Sequence, residues 1–182
     1  MLQLLLKIFI IVSTFILLLI VAILITAWWL GAFTPVQVIA TERGPYFIVT
    51  LLEPDSPDHL SSQIDRVHSY LALQGEHPGL PLGLFYQDPL TMPRNALEAS
   101  GGWFINDSTA VDTPYTMLNI NKQLVALTVI KINRVVAPLK IYPILKAWME
   151  RNGYQPAPDQ LTLEIYHSGD STEIQIPIKK IQ

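Results

Sequence analysis

Leu161-Thr162-Leu163-Glu164-Ile165-Tyr166-His167 alternates apolar and polar side chains with a period of two, the pattern of a strand. Leu161, Leu163 and Ile165 share one face; Thr162, Glu164 and Tyr166 share the other. The leucine face is expected to pack under helices, which assigns Glu164 and Tyr166 to a groove on the opposite face. Earlier in the chain, Leu84-Phe85-Tyr86 matches Glu164-Ile165-Tyr166, and this pairing of short stretches suggests a unit used twice.

Working outward from that strand, Thr172–Lys179 reads as its hairpin partner. Before it comes a helix from about Pro138 to Asn152, with Gly153 at its C′ position and Tyr142, Leu145 and Met149 at helical spacing. Pro143 falls inside this stretch, so the helix either begins there or has a kinked first turn. Thr116–Lys122 and Leu124–Ile132 precede it as strands. The first half repeats this order. Val36, Val38 and Ala40, the turn Arg43-Gly44-Pro45, then Phe47, Val49 and Leu51 read as a strand hairpin. Ser56-Pro57 opens a helix carrying Leu60, Ile64, Val67 and Leu71, which Gly75 closes. Strands at Leu84–Tyr86 and about Gly102–Ile105 complete the half. The expected fold is α+β: two β-β-α-β-β repeats forming an antiparallel sheet with both helices on one face. A groove between two repeats is a usual place for a small-molecule site.

The amino terminus is of another kind. Ile8 to Leu30 carries no charge, and its only hydroxyl side chains are Ser13, Thr14 and Thr26. As a helix it measures roughly 34 Å, enough for a hydrocarbon core of about 30 Å, and Trp28 and Trp29 fall where indoles favour headgroups. A cleaved signal has a shorter apolar region and a small-x-small site, whereas Leu30-Gly31-Ala32 presents leucine. Residues 1–32 are therefore read as a single transmembrane anchor and 33–182 as one domain beside a lipid bilayer. The side is left open by one cation at each end, Lys7 and Arg43. Lys7 is nearer and tips the balance toward a cytoplasmic amino terminus and an extracytoplasmic domain.

Composition excludes several function classes. A net charge of -3 with no Lys/Arg cluster speaks against nucleic acid as partner. With no cysteine there is no disulfide, thiolate metal site or Cys nucleophile. The histidines His59, His68, His77 and His167 lack metal spacing, and no serine stands in a Gly-x-Ser-x-Gly elbow. Asn106-Asp107-Ser108 matches a glycosylation sequon, which matters only in an ER lumen. Neither a metal nor a cofactor is expected, and no catalytic residue is assigned.

Gly83-Leu84-Phe85-Tyr86-Gln87-Asp88-Pro89 with Met92-Pro93, Asn152-Gly153-Tyr154 after Trp148, Leu163-Glu164-Ile165-Tyr166 and Ile174-Gln175-Ile176-Pro177-Ile178 occur in this order. Together they resemble the motifs of gyrase-inhibitor-like (GyrI-like, SOUL-type) effector-binding domains over about residues 35–180. With an anchor in front, the chain is most similar to the subgroup of the testis-expressed ER-phagy receptor and its bacterial relatives. It departs from the family at Leu97-Glu98, where Leu-Arg is frequent, and it ends at Gln182 where that receptor continues into an acidic tail with its autophagy-binding motif. The resemblance thus implies the fold and not the autophagy function. It also implies a pocket glutamate at Glu164. A carboxylate among aromatic rings attracts lipophilic cations, with about 0.5–2 kcal/mol from cation–π contact. An exposed strand glutamate is the other reading of the same residue. Tyr86 is expected to form the opposite wall with Trp103 or Phe104, though each aromatic taken alone fits a core better than a ligand contact. The function so read is binding of a small hydrophobic ligand, cationic or neutral. Its rivals are a hydrolase of reactive small molecules, with Glu164 activating water, and a membrane-bound adaptor for a protein partner.

The anchor is tested by extraction. The full-length chain is expected to stay with membranes through alkaline carbonate, and a chain starting at Phe33 to be soluble; release of the full-length chain by carbonate would show that residues 1–32 do not span.

Overall fold

The computed structural model describes residues 2–29, 33–107, 110–131, 137–169 and 171–181. Leu30, the tripeptide Leu30-Gly31-Ala32, Ser108 of the sequon and Ile132 lie outside them. The chain divides into two compact units, Met1–Pro35 and Val36–Gln182.

The first unit is one helix, α1 (Leu2–Trp29). Its stretch Leu6–Trp29 has a mean hydropathy of 3.4 and no buried part. Thr14 Oγ1 donates to the Ile10 carbonyl and Thr26 Oγ1 to that of Ala22, each at 2.8 Å, so these hydroxyls do not interrupt an apolar helix. Length and composition suit either a span or a signal sequence.

The second unit runs β1 (Ile39–Arg43), β2 (Tyr46–Leu51), α2 (Leu60–Leu73), β3 (Pro81–Phe85), β4 (Ala99–Ile105), then β5 (Tyr115–Ile120), β6 (Gln123–Lys131), α3 (Ala137–Asn152), β7 (Tyr154–Pro156), β8 (Thr162–His167) and β9 (Ser171–Lys180). Apart from the three-residue β7, which pairs with β9, this is the β-β-α-β-β order twice. The strands form a curled antiparallel sheet in the order β1-β6-β9-β8-β3-β4-β2-β5. Exchanging the two halves reverses that order onto itself. The β3–β8 pair lies at the centre, with Leu82 opposite Ile165, Gly83 opposite Glu164 and Leu84 opposite Leu163. The first strand of each half crosses to the other half, β1 onto β6 and β5 onto β2.

Both helices lie on one face of the sheet. The stripe Leu60, Ile64, Val67 and Leu71 of α2 is buried, with Val67 and Leu71 packing on Val49, Leu51 and Ile105. In α3 the buried stripe is Ala137, Ile141, Leu145 and Met149, packed on Ala126, Ile130, Ile174 and Ile176. The described helix runs from Ala137 through Pro143, whose missing N–H leaves the Leu139 carbonyl without its intrahelical donor. Gly153, at φ +70°, ends it in the left-handed conformation.

One expectation is reversed. The leucine face does not pack under the helices. Leu82, Leu84, Leu163 and Ile165 cluster with Ile48, Phe104 and Tyr46 on the opposite face, while Gly83, Gly101, Glu164 and Tyr166 face the helices. The glycines are the reason. A Cβ on Gly101 would stand 2.7 Å from the Ile64 nitrogen, so α2 comes close to the sheet only because that position is bare. The curled sheet buries the leucine face without a helix.

Leu145→Ala is expected to cost about 2–5 kcal/mol by leaving a cavity under α3. Gly101→Ala is expected to cost about 1–3 kcal/mol by lifting α2. Denaturant midpoints measure both, and near-neutral values would mean that the helices do not pack as described.

Candidate functional site

Where α2 and α3 leave β8 uncovered, a cleft of about 520 Å³ opens. Leu60 and Ile64 contribute one wall, Pro138 and Leu139 the other, and Glu164 and Tyr166 the floor, with Arg94 also lining it. Arg94 belongs to a 3-10 turn, Arg94–Ala96, in the connection from β3 to β4.

The Glu164 side chain is pointed here by strand alternation and is 4% exposed. Tyr142 Oη, reaching across from α3, donates to its Oε1 at 2.5 Å, and Tyr166 Oη, two residues along the strand, donates to Oε2 at 3.1 Å. Space for the second hydroxyl comes from Gly83 across the ladder, where a Cβ would be 3.1 Å from Tyr166 Oη and 3.3 Å from Leu60 Cδ1. Burial raises the carboxyl's pKa above its ordinary value, and the two phenol hydrogen bonds and the Arg94 charge oppose that rise. The Tyr142 phenol is pushed well above its ordinary pKa by burial and then by the Glu164 charge, so it remains a donor. Chemically this is a carboxyl held by two phenols at the bottom of a largely apolar cleft. It can meet a cation or exchange a proton.

Beside the cleft lies a second cavity of about 380 Å³, walled by Phe85, Leu90, Leu97 and Pro143 and sharing Arg94, Pro138 and Leu139 with the first. Lys146 also lines it.

Of the residues assigned from sequence, the structure brings Glu164 and Tyr166 together and leaves the other three elsewhere. Trp103 is on the helix face but under α2, its Nε1 donating to the Ile64 carbonyl at 2.8 Å and its ring 4.8 Å from that of His68. Phe104 is on the opposite face, 4.9 Å from the Tyr46 ring. Tyr86 also packs with the opposite-face cluster and lines a separate cavity with Asp88 and Asp159, so it forms no wall facing Glu164. Tyr142 and Arg94 were missed. The sequence places Tyr142 in a core stripe with Leu145 and Met149, but the buried stripe runs through Ile141 instead, which turns Tyr142 aside toward Glu164; nothing in the local sequence marks Arg94. Among the described residues, no group of three or more His, Asp or Glu is placed to hold a metal.

No family model and no curated protein matches the chain. Solved structures do. EcmrR in its DNA complex superposes with a TM-score of 0.66 at 17% identity over 80% of this chain, which spans 58% of that one. The isolated EcmrR C-terminal domain gives 0.61 at 19% identity, over 80% of this chain and 99% of that domain. SAV2435, solved bound to tetraphenylphosphonium, gives 0.56 at 14% over 79% and 94%, and a hydrolase from Listeria innocua gives 0.53 at 13% over 82% and 96%. The second unit therefore has the fold of the EcmrR C-terminal domain. The same fold serves a protein that holds a lipophilic cation and another described as a hydrolase.

Because its pKa is raised on folding, the Glu164 carboxyl stabilises the fold fully only below its unfolded value, near 4.5, and that contribution is lost as pH rises through the folded value. Glu164→Gln, which cannot ionise, is expected to gain melting temperature over the wild type at pH 7 and to lose that advantage near pH 4. Parallel pH profiles of the two proteins would show that the carboxyl is not desolvated.

Proposed function

We propose that residues 33–182 are a GyrI-like small-molecule-binding domain, tethered to a membrane by residues 1–32, that takes a hydrophobic cation in the cleft between α2 and α3. The observation that carries this reading is the Glu164 carboxylate, buried at the cleft floor with two tyrosine hydroxyls on its oxygens. A desolvated carboxylate ringed by aromatic and apolar groups attracts a weakly hydrated cation more than a strongly hydrated one, because the latter gives up more solvation on entering. Tetraphenylphosphonium in SAV2435 is such a cation on the same fold. The tether rests on the exposed apolar α1, and the lean toward an extracytoplasmic domain rests on Lys7. The likeness to the ER-phagy receptor subgroup rests on the order of anchor and domain alone.

Hydrolysis is the second reading, favoured by the raised carboxyl pKa and the adjacent phenols, which suit general-base work, and by the hydrolase on this fold. Glu164→Gln separates the two. Affinity for tetraphenylphosphonium, measured by calorimetry, is expected to fall by about 1.5–3 kcal/mol, the range for hydrogen bonds to charged groups, while a neutral tetraphenyl analogue loses much less. Equal losses for both probes would give Glu164 a structural role. Turnover of an ester or epoxide panel that vanishes in the variant would favour the enzyme.

A further inference from the structure

The cleft and its neighbouring cavity present three kinds of surface in succession. Glu164, with Tyr142 and Tyr166, supplies an anion at the cleft floor. Arg94 stands on the rim common to both spaces and brings a cation, and Lys146 adds another in the smaller one. Past the rim, Phe85, Leu90, Leu97 and Pro143 form an apolar wall.

Arg94 is a poor neighbour for a simple cation, since its charge repels the ligand that Glu164 attracts. It is also loosely held. Its Nε lies 3.8 Å from Asp58 Oδ1, between side chains 54% and 80% exposed, and such pairs contribute little. The guanidinium can therefore turn to a ligand's anionic group, which its planar fork suits when that group is a phosphate or sulfonate. Each space falls within the range of about 300–1,000 Å³ usual for small-molecule sites.

From this order of charges we infer that the ligand is a single-chain zwitterionic amphiphile: a quaternary ammonium at Glu164, a phosphate or sulfonate at Arg94, and an apolar chain along the Phe85–Pro143 cavity. The inference rests on the proposed cation site at Glu164 and names the ligand class for it. Aromatic rings beside a carboxylate suit a quaternary ammonium, and an apolar cavity of limited volume suits one chain in preference to two.

The test titrates the full-length chain in maltoside micelles with hexylphosphocholine, hexyltrimethylammonium, hexyl phosphate and chain-free phosphocholine, the short chain limiting partition into the micelle. Hexylphosphocholine is expected to bind tightest, about tenfold over each of the others, a difference of the size that one charge-assisted contact supplies. Arg94→Gln is expected to remove that advantage while tightening hexyltrimethylammonium, because the repelling charge has gone; Arg94→Lys restores part of it. Glu164→Gln weakens all three ammonium probes and leaves hexyl phosphate unweakened. If hexylphosphocholine binds no better than hexyltrimethylammonium, or its binding ignores Arg94→Gln, the inference is overturned and the cation site stands. Tightest binding by hexyl phosphate, or equal binding of phosphocholine with and without its chain, overturns it as well. Should neither hexyltrimethylammonium nor tetraphenylphosphonium bind, the cation site itself falls and takes the inference with it.

Discussion

A carboxyl group in the middle of a sheet has to be solvated by the protein, and the helix face of this domain is arranged around that requirement at Glu164. Removing a carboxylate from water costs several kcal/mol even after relaxation, unless hydrogen bonds replace the lost hydration. Tyr142 and Tyr166 supply one each. The Tyr142 bond limits where α3 can lie, since its hydroxyl has to reach β8. The Tyr166 bond needs a bare position opposite, which Gly83 provides. On the other side, Gly101 lets α2 settle close to the sheet. Helices placed by these contacts leave β8 open between them, and the cleft follows from that spacing.

The exchange of first strands holds this spacing in place. With β1 paired to β6 and β5 to β2, each half supplies the outer strand of the other, and the central β3–β8 ladder is not the sole connection between halves. The cleft width is therefore set by a continuous sheet and not by helix–helix contact. β8 is paired on both sides, to β3 and to β9, and this holds its backbone in register beneath the cleft.

The element order is legible because period-two alternation, the Ser56-Pro57 signal and the Gly153 stop each have a local physical cause, although Ser56 caps a 3-10 turn, Pro57–His59, and α2 begins only at Leu60. The face of Glu164 is not. Alternation in Leu161–His167 was read as one buried and one open face, but curling buries Leu163 and Ile165 without a helix, and the helices cover the face carrying the polar residues. Register between halves is a long-range property, so Gly83 opposite Glu164 could not be seen in either strand alone. Tyr86 and Phe104 went astray for a similar reason: the placement of an aromatic depends on which partner strand lies beside it. Arg94 reaches the site from a connection, where no periodicity tells which way a side chain points.

The two charges of the proposed site stand on backbone of different kinds. The carboxyl stands on a central strand, where backbone pairing on both sides leaves it little freedom. Arg94, Leu90 and Met92 stand instead on the segment between β3 and β4, whose base is fastened by Gln87: its Nε2 donates to Glu98 Oε2 at 2.9 Å and its Oε1 accepts from the Glu98 amide at 2.5 Å. Asp88 braces the next turn by accepting from the Leu90 amide at 3.0 Å and from Thr91 Oγ1 at 3.1 Å. A connection pinned at its base can change the residues at its tip without disturbing the ladder, as surface connections generally tolerate substitution better than the strands they join. On the proposed reading, β8 supplies the charge that a ligand has to match. On the same reading, the pinned segment supplies the second charge, from Arg94, and part of the apolar wall, from Leu90 and Leu97, which Phe85 of β3 and Pro143 of α3 complete.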